Sequence, residues 1–269
     1  MASARFLLRP LWLLSHALVL VLVVAMVNLG FWQLDRLDQR RDRNDVIEAR
    51  EEQPAVPVED LVAPASEQAE VDRARFRTVT AAGTYDPAGT VEVRNRTQDG
   101  VAGAWLVTPL DLGGARVGVI RGFVGFGADG QVDDPPPPEG EVRVTGPVVD
   151  PGKLDGTAPR DLAPLLDGEG TLPVVLRAES STPPEPGAGE QAAGEPAAGT
   201  AGIIRPVPGA DLSEGPHLGY AVQWFIFSAI AVIGYPLVLR NVVRRRHVDR
   251  GAAADDLDRE LDELLRQGG

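Results

Sequence analysis

The chain has no cysteine, so no disulfide braces it and no thiolate is on hand for metal binding or redox chemistry. It holds three histidines in 269 residues, and Lys153 is its single lysine. Missing too are the familiar catalytic signatures. No glycine-rich phosphate loop follows a strand and opens a helix, no metal-spaced cluster appears, and there is no G-x-S-x-G elbow. Acid pairs are common but fall mostly in flexible stretches, where general acid–base geometry would be lacking. These gaps point away from an enzyme. The net charge of -13 lacks the basic face that nucleic acid requires.

What the chain does have is two long apolar runs. Leu11–Leu34 and Leu218–Leu239 carry no residue charged at neutral pH. Each exceeds the roughly 20 residues that a helix needs to cross about 30 Å of hydrocarbon. Arg5 and Arg9 precede the first; Arg240, Arg244, Arg245 and Arg246 follow the second. Counted by the positive-inside rule, both ends are cytoplasmic and the central region lies outside, against the weaker vote of Arg36, Arg40, Arg41 and Arg43. The first run is longer than a signal-peptide core and no clear A-x-A site follows it, so it reads as a retained span in a bacterial plasma membrane.

Between the runs the periodicity changes to strands. Val91–Arg94 and Glu141–Val144 alternate at period two, and Gly113-Gly114 separates two apolar stretches as a two-residue hairpin turn. Arg75–Tyr85 and Leu172–Arg177 are weaker strand candidates. The expected fold is a membrane protein with two transmembrane helices flanking an extracytoplasmic antiparallel β domain, barrel or sandwich. The expected divisions are a cytoplasmic N-terminus (1–10), a first span (11–34), a helical extension and linker (35–72), the β domain (73–178), a disordered Pro/Gly/Ala-rich linker (179–216), a second span (217–239), and a cytoplasmic basic stop with an amphipathic tail helix (240–269). Pro54 and Pro57 should end the first helix after about Ile47, and the four prolines of 133–140 should form an extended, solvated loop.

Chemistry concentrates where the second run begins. His217, Tyr220, Ala221, Trp224 and Ser228 share one helical face, with Gln223 alongside; Leu218, Val222, Phe225 and Ala229 take the opposite, lipid-compatible face. Near the outer end of the first span, Asn28, Trp32, Asp35 and Gln39 form a stripe, with Gln33 and Arg36 beside it, and Asn28 is expected to bond across to the second helix. A neutral imidazole at the edge of an apolar pocket suits a haem iron. An interfacial belt of tyrosine and tryptophan capped by a histidine explains the same residues without a ligand. His16 sits one turn inside the first span, within reach of headgroups, and His247 lies in the basic stop.

The run His217-Leu-Gly-Tyr-Ala-Val-Gln-Trp-Phe225 resembles the signature of the Surfeit-locus-protein-one family of cytochrome c oxidase assembly factors. Leu29-Gly-Phe-Trp-Gln-Leu-Asp-Arg36 is similar to that family's first-span element. Gly83-Thr84-Tyr85, Arg94-Asn95-Arg96, Gly103, Thr108-Pro109-Leu110 and Arg121-Gly122-Phe123-Val124 follow in the family's order. Phe123 replaces the usual tryptophan, and Gly215-Pro216 stand before the histidine where an asparagine is frequent. The arginine-for-lysine composition suits an actinobacterial member.

The resemblance implies an assembly factor for haem-copper oxidase that handles or inserts haem a into subunit one, and not an enzyme. A non-haem-binding membrane scaffold for oxidase subunits is the alternative, and an extracytoplasmic ligand-binding module unrelated to respiration is a third reading. The implied partners are cytochrome c oxidase subunit one, the haem a synthesis machinery and membrane lipid. The implied iron ligand is His217, with haem a bound transiently. Tyr220, Gln223 and Trp224, faced by Trp32, Gln33 and Arg36, join it as pocket candidates by helix geometry. Arg94 and Arg121 are open to two readings, pairing with propionates or fixing turns of the β domain.

Overall fold

The computed structural model describes residues 6–151, 162, 165–166, 168–186 and 203–267. Two compact units emerge, residues 1–43 with 212–269 and residues 44–211.

The first unit is built on two helices. Helix α1 spans Pro10–Glu51, opening on a proline that suits a first helical turn. With no further proline before Pro54, it continues past the expected Ile47. Helix α3 spans His217–Gln267 and runs unbroken through Pro236 and through the acidic tail, which was expected to be a separate short helix. Both are long and apolar enough to cross a membrane. Their large apolar side chains stand exposed: Leu11 at 82%, Val21 at 63%, Ile233 at 63%.

The helices run antiparallel, as their contacts show. Tyr235 Oη hydrogen-bonds Ser15 Oγ at 2.5 Å and His16 Nδ1 at 2.6 Å. Nearer the other end, Phe225 packs edge-on to Phe31, and a Cβ on Gly30 would stand 2.7 Å from the Phe225 ring. Glycine thus lets the rings close over the backbone. Phe225 therefore faces α1, not lipid as its helical position suggested, because the missing side chain at Gly30 opens a seat for it. Asn28 also departs from expectation: its Nδ2 donates to Val24 O of its own helix at 2.7 Å. His16, expected near headgroups, is engaged by Tyr235.

The second unit is a β domain. Its strands are β1 (Val56–Pro57), β2 (Thr78–Tyr85), β3 (Val91–Gln98), β4 (Val101–Asp111), β5 (Arg116–Gly125), β6 (Glu141–Val149), β7 (Thr171–Arg177) and β8 (Ser180–Thr182), with helix α2 (Gln68–Ala74) before β2. All lie in one sheet of order β1-β2-β4-β5-β7-β6-β8, with β3 on β4 and a further β2–β6 pairing. The ring of pairings through β2, β4, β5, β7 and β6 narrows to two residue pairs at β2–β4 and two at β6–β7, short of a clear barrel.

The sheet is mixed where antiparallel was expected, since β1 pairs parallel to β2 and β5 parallel to β7. The reason is that β7 inserts between β5 and β6, and period-two alternation reports a strand's faces, not its neighbours. Apolar residues are buried on both faces of β5 and β7. One cluster gathers Val79, Leu110, Val117, Val119, Leu172 and Leu176 under Val71 and Ala74 of α2; a second centres on Val107, Ile120, Phe123 and Val175.

The stretch 179–216, expected to be disordered, contributes to this sheet. Ser180–Thr182 pair with β6, Glu185 is buried, and Arg205 bridges Phe123 through Phe123 N to Arg205 O at 2.8 Å and the return bond at 2.9 Å. Residues 187–202 of that stretch lie outside the described residues. The four-proline loop is not wholly solvated either: Pro137 and Pro138 are buried.

Candidate functional site at the start of the second apolar helix

Gly215 adopts φ +69, a conformation that L side chains disfavour, and Pro216 follows it into the first turn of α3. Tyr220 N donates to Pro216 O at 3.1 Å. This entry places His217, half-buried, at the first position of the helix and against α1. There His217 Nδ1 hydrogen-bonds Gln33 Oε1 at 2.9 Å. An amide oxygen only accepts, so the proton of a neutral imidazole rests on Nδ1 and the lone pair on Nε2. That is the arrangement in which a metal-binding histidine is held by an outer partner.

Around His217 lies a cavity of about 340 Å³ lined by Arg36, Gln39, Arg40, Arg43 and His217. Arg36 Nη1 donates to Gln39 Oε1 at 3.0 Å, and Gln39 Nε2 to Asp35 Oδ2 at 2.7 Å. The Arg36 guanidinium also lies 5.7 Å from the Trp32 ring centroid. Arg41 leaves the cavity face and forms a bidentate pair with Glu214 at 2.7 and 3.1 Å, three residues before His217. That hydrogen bond, reinforced by charge, holds the Glu214 carboxyl below its ordinary range and raises Arg41.

The structure therefore brings together His217, Gln33 and Arg36 among the residues expected from sequence. Trp224 is half-buried, with its ring edge-on to Phe227, and Ala221 and Ser228 are buried along the same face. Tyr220 and Trp32 are about half exposed, and Gln223 is exposed. Tyr220 is the residue of the stripe that turns outward. Gln39, Arg40 and Arg43 were not singled out as site residues. Their signal was the i, i+4, i+7 spacing of Arg36, Arg40 and Arg43, masked by the aspartates interleaved with them.

Arg94 and Arg121 belong to the β unit and are engaged there. In Arg94-Asn95-Arg96, Asn95 sits at φ 61 where the β3–β4 register shifts, so the motif forms a bulge within a strand. Arg94 pairs with Glu92 at 3.1 Å and covers the Phe126 ring, while Arg96 lies 4.0 Å from the Trp105 centroid. Arg121, its side chain wholly buried in β5, donates to Glu185 at 2.9 to 3.3 Å and to Pro135 O at 2.9 Å, with Asp134 at 3.6 Å. Neither arginine sits in a turn.

A two-helix frame carrying a β domain, with a histidine and arginines at the mouth of the second helix, defines the class of protein. The chain belongs to the SURF1 family, whose sequence model matches residues 20–229. It is similar to SURF1-like proteins of Mycobacterium bovis and Mycobacterium tuberculosis, each 30% identical over 269 residues covering 94% of this chain and 92% of theirs. Those relatives are actinobacterial, as the composition suggested.

Proposed function

We propose that this protein is a plasma-membrane assembly factor for cytochrome c oxidase that handles haem a for subunit one, and not an enzyme. The observation that carries the reading is the His217–Gln33 bond, which keeps Nε2 available beside a cavity rich in arginine. An imidazole nitrogen suits the iron, and guanidinium groups suit the carboxylates of the macrocycle. Both needs are met by residues of the helical unit alone.

The apolar surface exposed along α1 and α3 supports membrane insertion, since water does not tolerate so large a continuous patch. Arg5 and Arg9 before the first apolar run and Arg240, Arg244, Arg245 and Arg246 after the second support cytoplasmic termini and an extracytoplasmic β domain. The partners in this reading are oxidase subunit one, the machinery that makes haem a, and lipid.

The test is an optical spectrum of detergent-purified protein made in cells that synthesise haem a, with His217→Ala prepared alongside. A reduced haem band in the parent that is lost or shifted in the variant supports the reading. Folded protein without haem in either sample refutes it in favour of a scaffold. Haem that is unchanged in the variant removes His217 from the site.

A further inference from the structure

We propose that Arg36, Arg40 and Arg43 form a clamp for the two carboxylates of a tetrapyrrole, set on the cavity that His217 lines. This rests on the haem-handling reading and assigns the part of the ligand that the arginines take. At about 100° per residue, these three positions fall within roughly 60° of arc on α1. Asp38, Asp42 and Asp45 fall on the far side of the same helix, and Asp35 is tied to Gln39. The interleaved charges of the sequence thus separate in three dimensions, and among the described residues no acid lines the cavity.

The clamp has depth as well as charge. Arg36 and Arg40 are separated by about 6 Å of helical rise and Arg43 by about 4.5 Å more, so two carboxylates can be met by different guanidiniums. A planar guanidinium grips a carboxylate with two parallel hydrogen bonds, which fixes orientation as well as attracting charge. Gln39 steadies Arg36 from the side. A phospholipid phosphate would satisfy the arginines alone; the His217 lone pair on the same cavity favours a ligand that is both anionic and metal-bearing.

The probe is metal-free protoporphyrin, a fluorescent dicarboxylic tetrapyrrole that needs no axial ligand, titrated into the full-length protein in zwitterionic detergent. Its dimethyl ester provides the same ring without the charges. The parent is expected to bind the acid at least about tenfold more tightly than the ester, with the difference shrinking as salt rises. Arg36→Gln/Arg40→Gln/Arg43→Gln should erase that preference, and Arg41→Gln, off the cavity, should keep it. Circular dichroism checks the fold of each variant, and Arg40→Gln alone, expected to reduce the preference severalfold, serves if the triple variant does not fold.

Equal binding of acid and ester by the parent, binding of neither, or a triple variant that retains the preference overturns the clamp. So does displacement of the porphyrin by phosphatidylglycerol micelles from the parent, with phosphatidylcholine inert, which would make the arginines a headgroup site. The haem spectrum read through His217 decides separately, so the clamp can fail while haem handling stands.

Discussion

Replacing Glu185 by glutamine should destabilise the β unit by about 3 kcal/mol. The Arg121 side chain is 0% exposed and that of Glu185 8%. Their contact is made through Nε and Nη2, three distances of 3.3, 3.2 and 2.9 Å. Breaking a buried pair by removing one partner typically costs 3–5 kcal/mol, because the surviving charge is left in a poor solvent. The lower end applies here, since Pro135 O and the partly exposed Asp134 still face the guanidinium. Against the 5–15 kcal/mol that stabilises an ordinary domain, this is a large fraction. Urea unfolding of the full chain in detergent, followed by tryptophan fluorescence, measures it. Arg121→Met/Glu185→Leu should then cost less than Glu185→Gln alone, because an apolar pair buries no charge. A Glu185→Gln variant within about 0.5 kcal/mol of the parent, or a double variant as damaged as the sum of its singles, would refute the reasoning.

The surroundings of the Arg121–Glu185 pair offer a second test: burial, then the charge of Glu185, raises the Tyr85 phenol above its ordinary value, with Arg121 acting in the opposite sense. Above about pH 10 the unfolded phenol has lost its proton while the folded one holds it, so stability falls by up to about 1.4 kcal/mol per pH unit. Tyr85→Phe should flatten that loss in urea melts on either side of pH 10 and change neutral stability by less than about 1 kcal/mol, its hydroxyl having no partner among the described residues. Gly122→Ala should cost about 2–4 kcal/mol, because its Cβ would stand 2.3 Å from Ile204 and 2.6 Å from Arg205 O, pushing off the segment that bridges Phe123; Gly114→Ala, with open space around it, is the control in the same melts. Gln33→Leu should weaken haem binding about 10- to 100-fold with the helices still folded, read by titration of the haem spectrum. Tyr235→Phe should loosen the helix pair by about 0.6 kcal/mol in a detergent unfolding titration, as expected for an interhelical hydrogen bond between apolar helices.

What sequence could reveal followed from periodicity and composition. The apolar runs marked α1 and the start of α3, alternation marked β3 and β6, and Gly113-Gly114 between two apolar stretches marked the hairpin that joins β4 to β5. Partnership was not legible. Nothing in Leu172–Arg177 states that it lies parallel to β5, because burial on both faces erases alternation. Glu185 was hidden for a different reason. In a stretch of proline, glycine, alanine and glutamate it reads as one more solvated acid, and what anchors it is a charge buried on a distant strand. Composition measures how much apolar surface a segment can bury; it is blind to a segment held by one ion pair and a short β ladder. Phe225 was misplaced because its seat is made by an absence, the missing Cβ of Gly30.

The family's motifs then divide by the physical task each performs. Gly122 must lack a side chain for residues 204–205 to reach β5, and Arg121 beside it uses its charge on Glu185, so Arg-Gly-Phe secures the closing segment of the β unit. Arg-Asn-Arg spends a left-handed asparagine on a bulge and lays two guanidiniums over aromatic rings. Arg94 and Arg121 are held by carboxylates of their own unit, and Arg94 and Arg96 lie over its rings, so each of these arginines has a structural task there. His217 differs in kind. Among the described residues its hydrogen-bond partner is Gln33 Oε1 at Nδ1, which puts the proton of a neutral ring there and the lone pair on Nε2. Gln33, from the motif at the end of the first apolar run, is what makes that assignment. In the haem-handling reading proposed above, the two helical motifs act as a single device, His217 offering a nitrogen and Gln33 setting its tautomer, while the β-domain motifs hold a fold. Chemistry should accordingly fail at His217 with the β unit intact, and stability should fail at Arg121 or Gly122 with the helix pair intact.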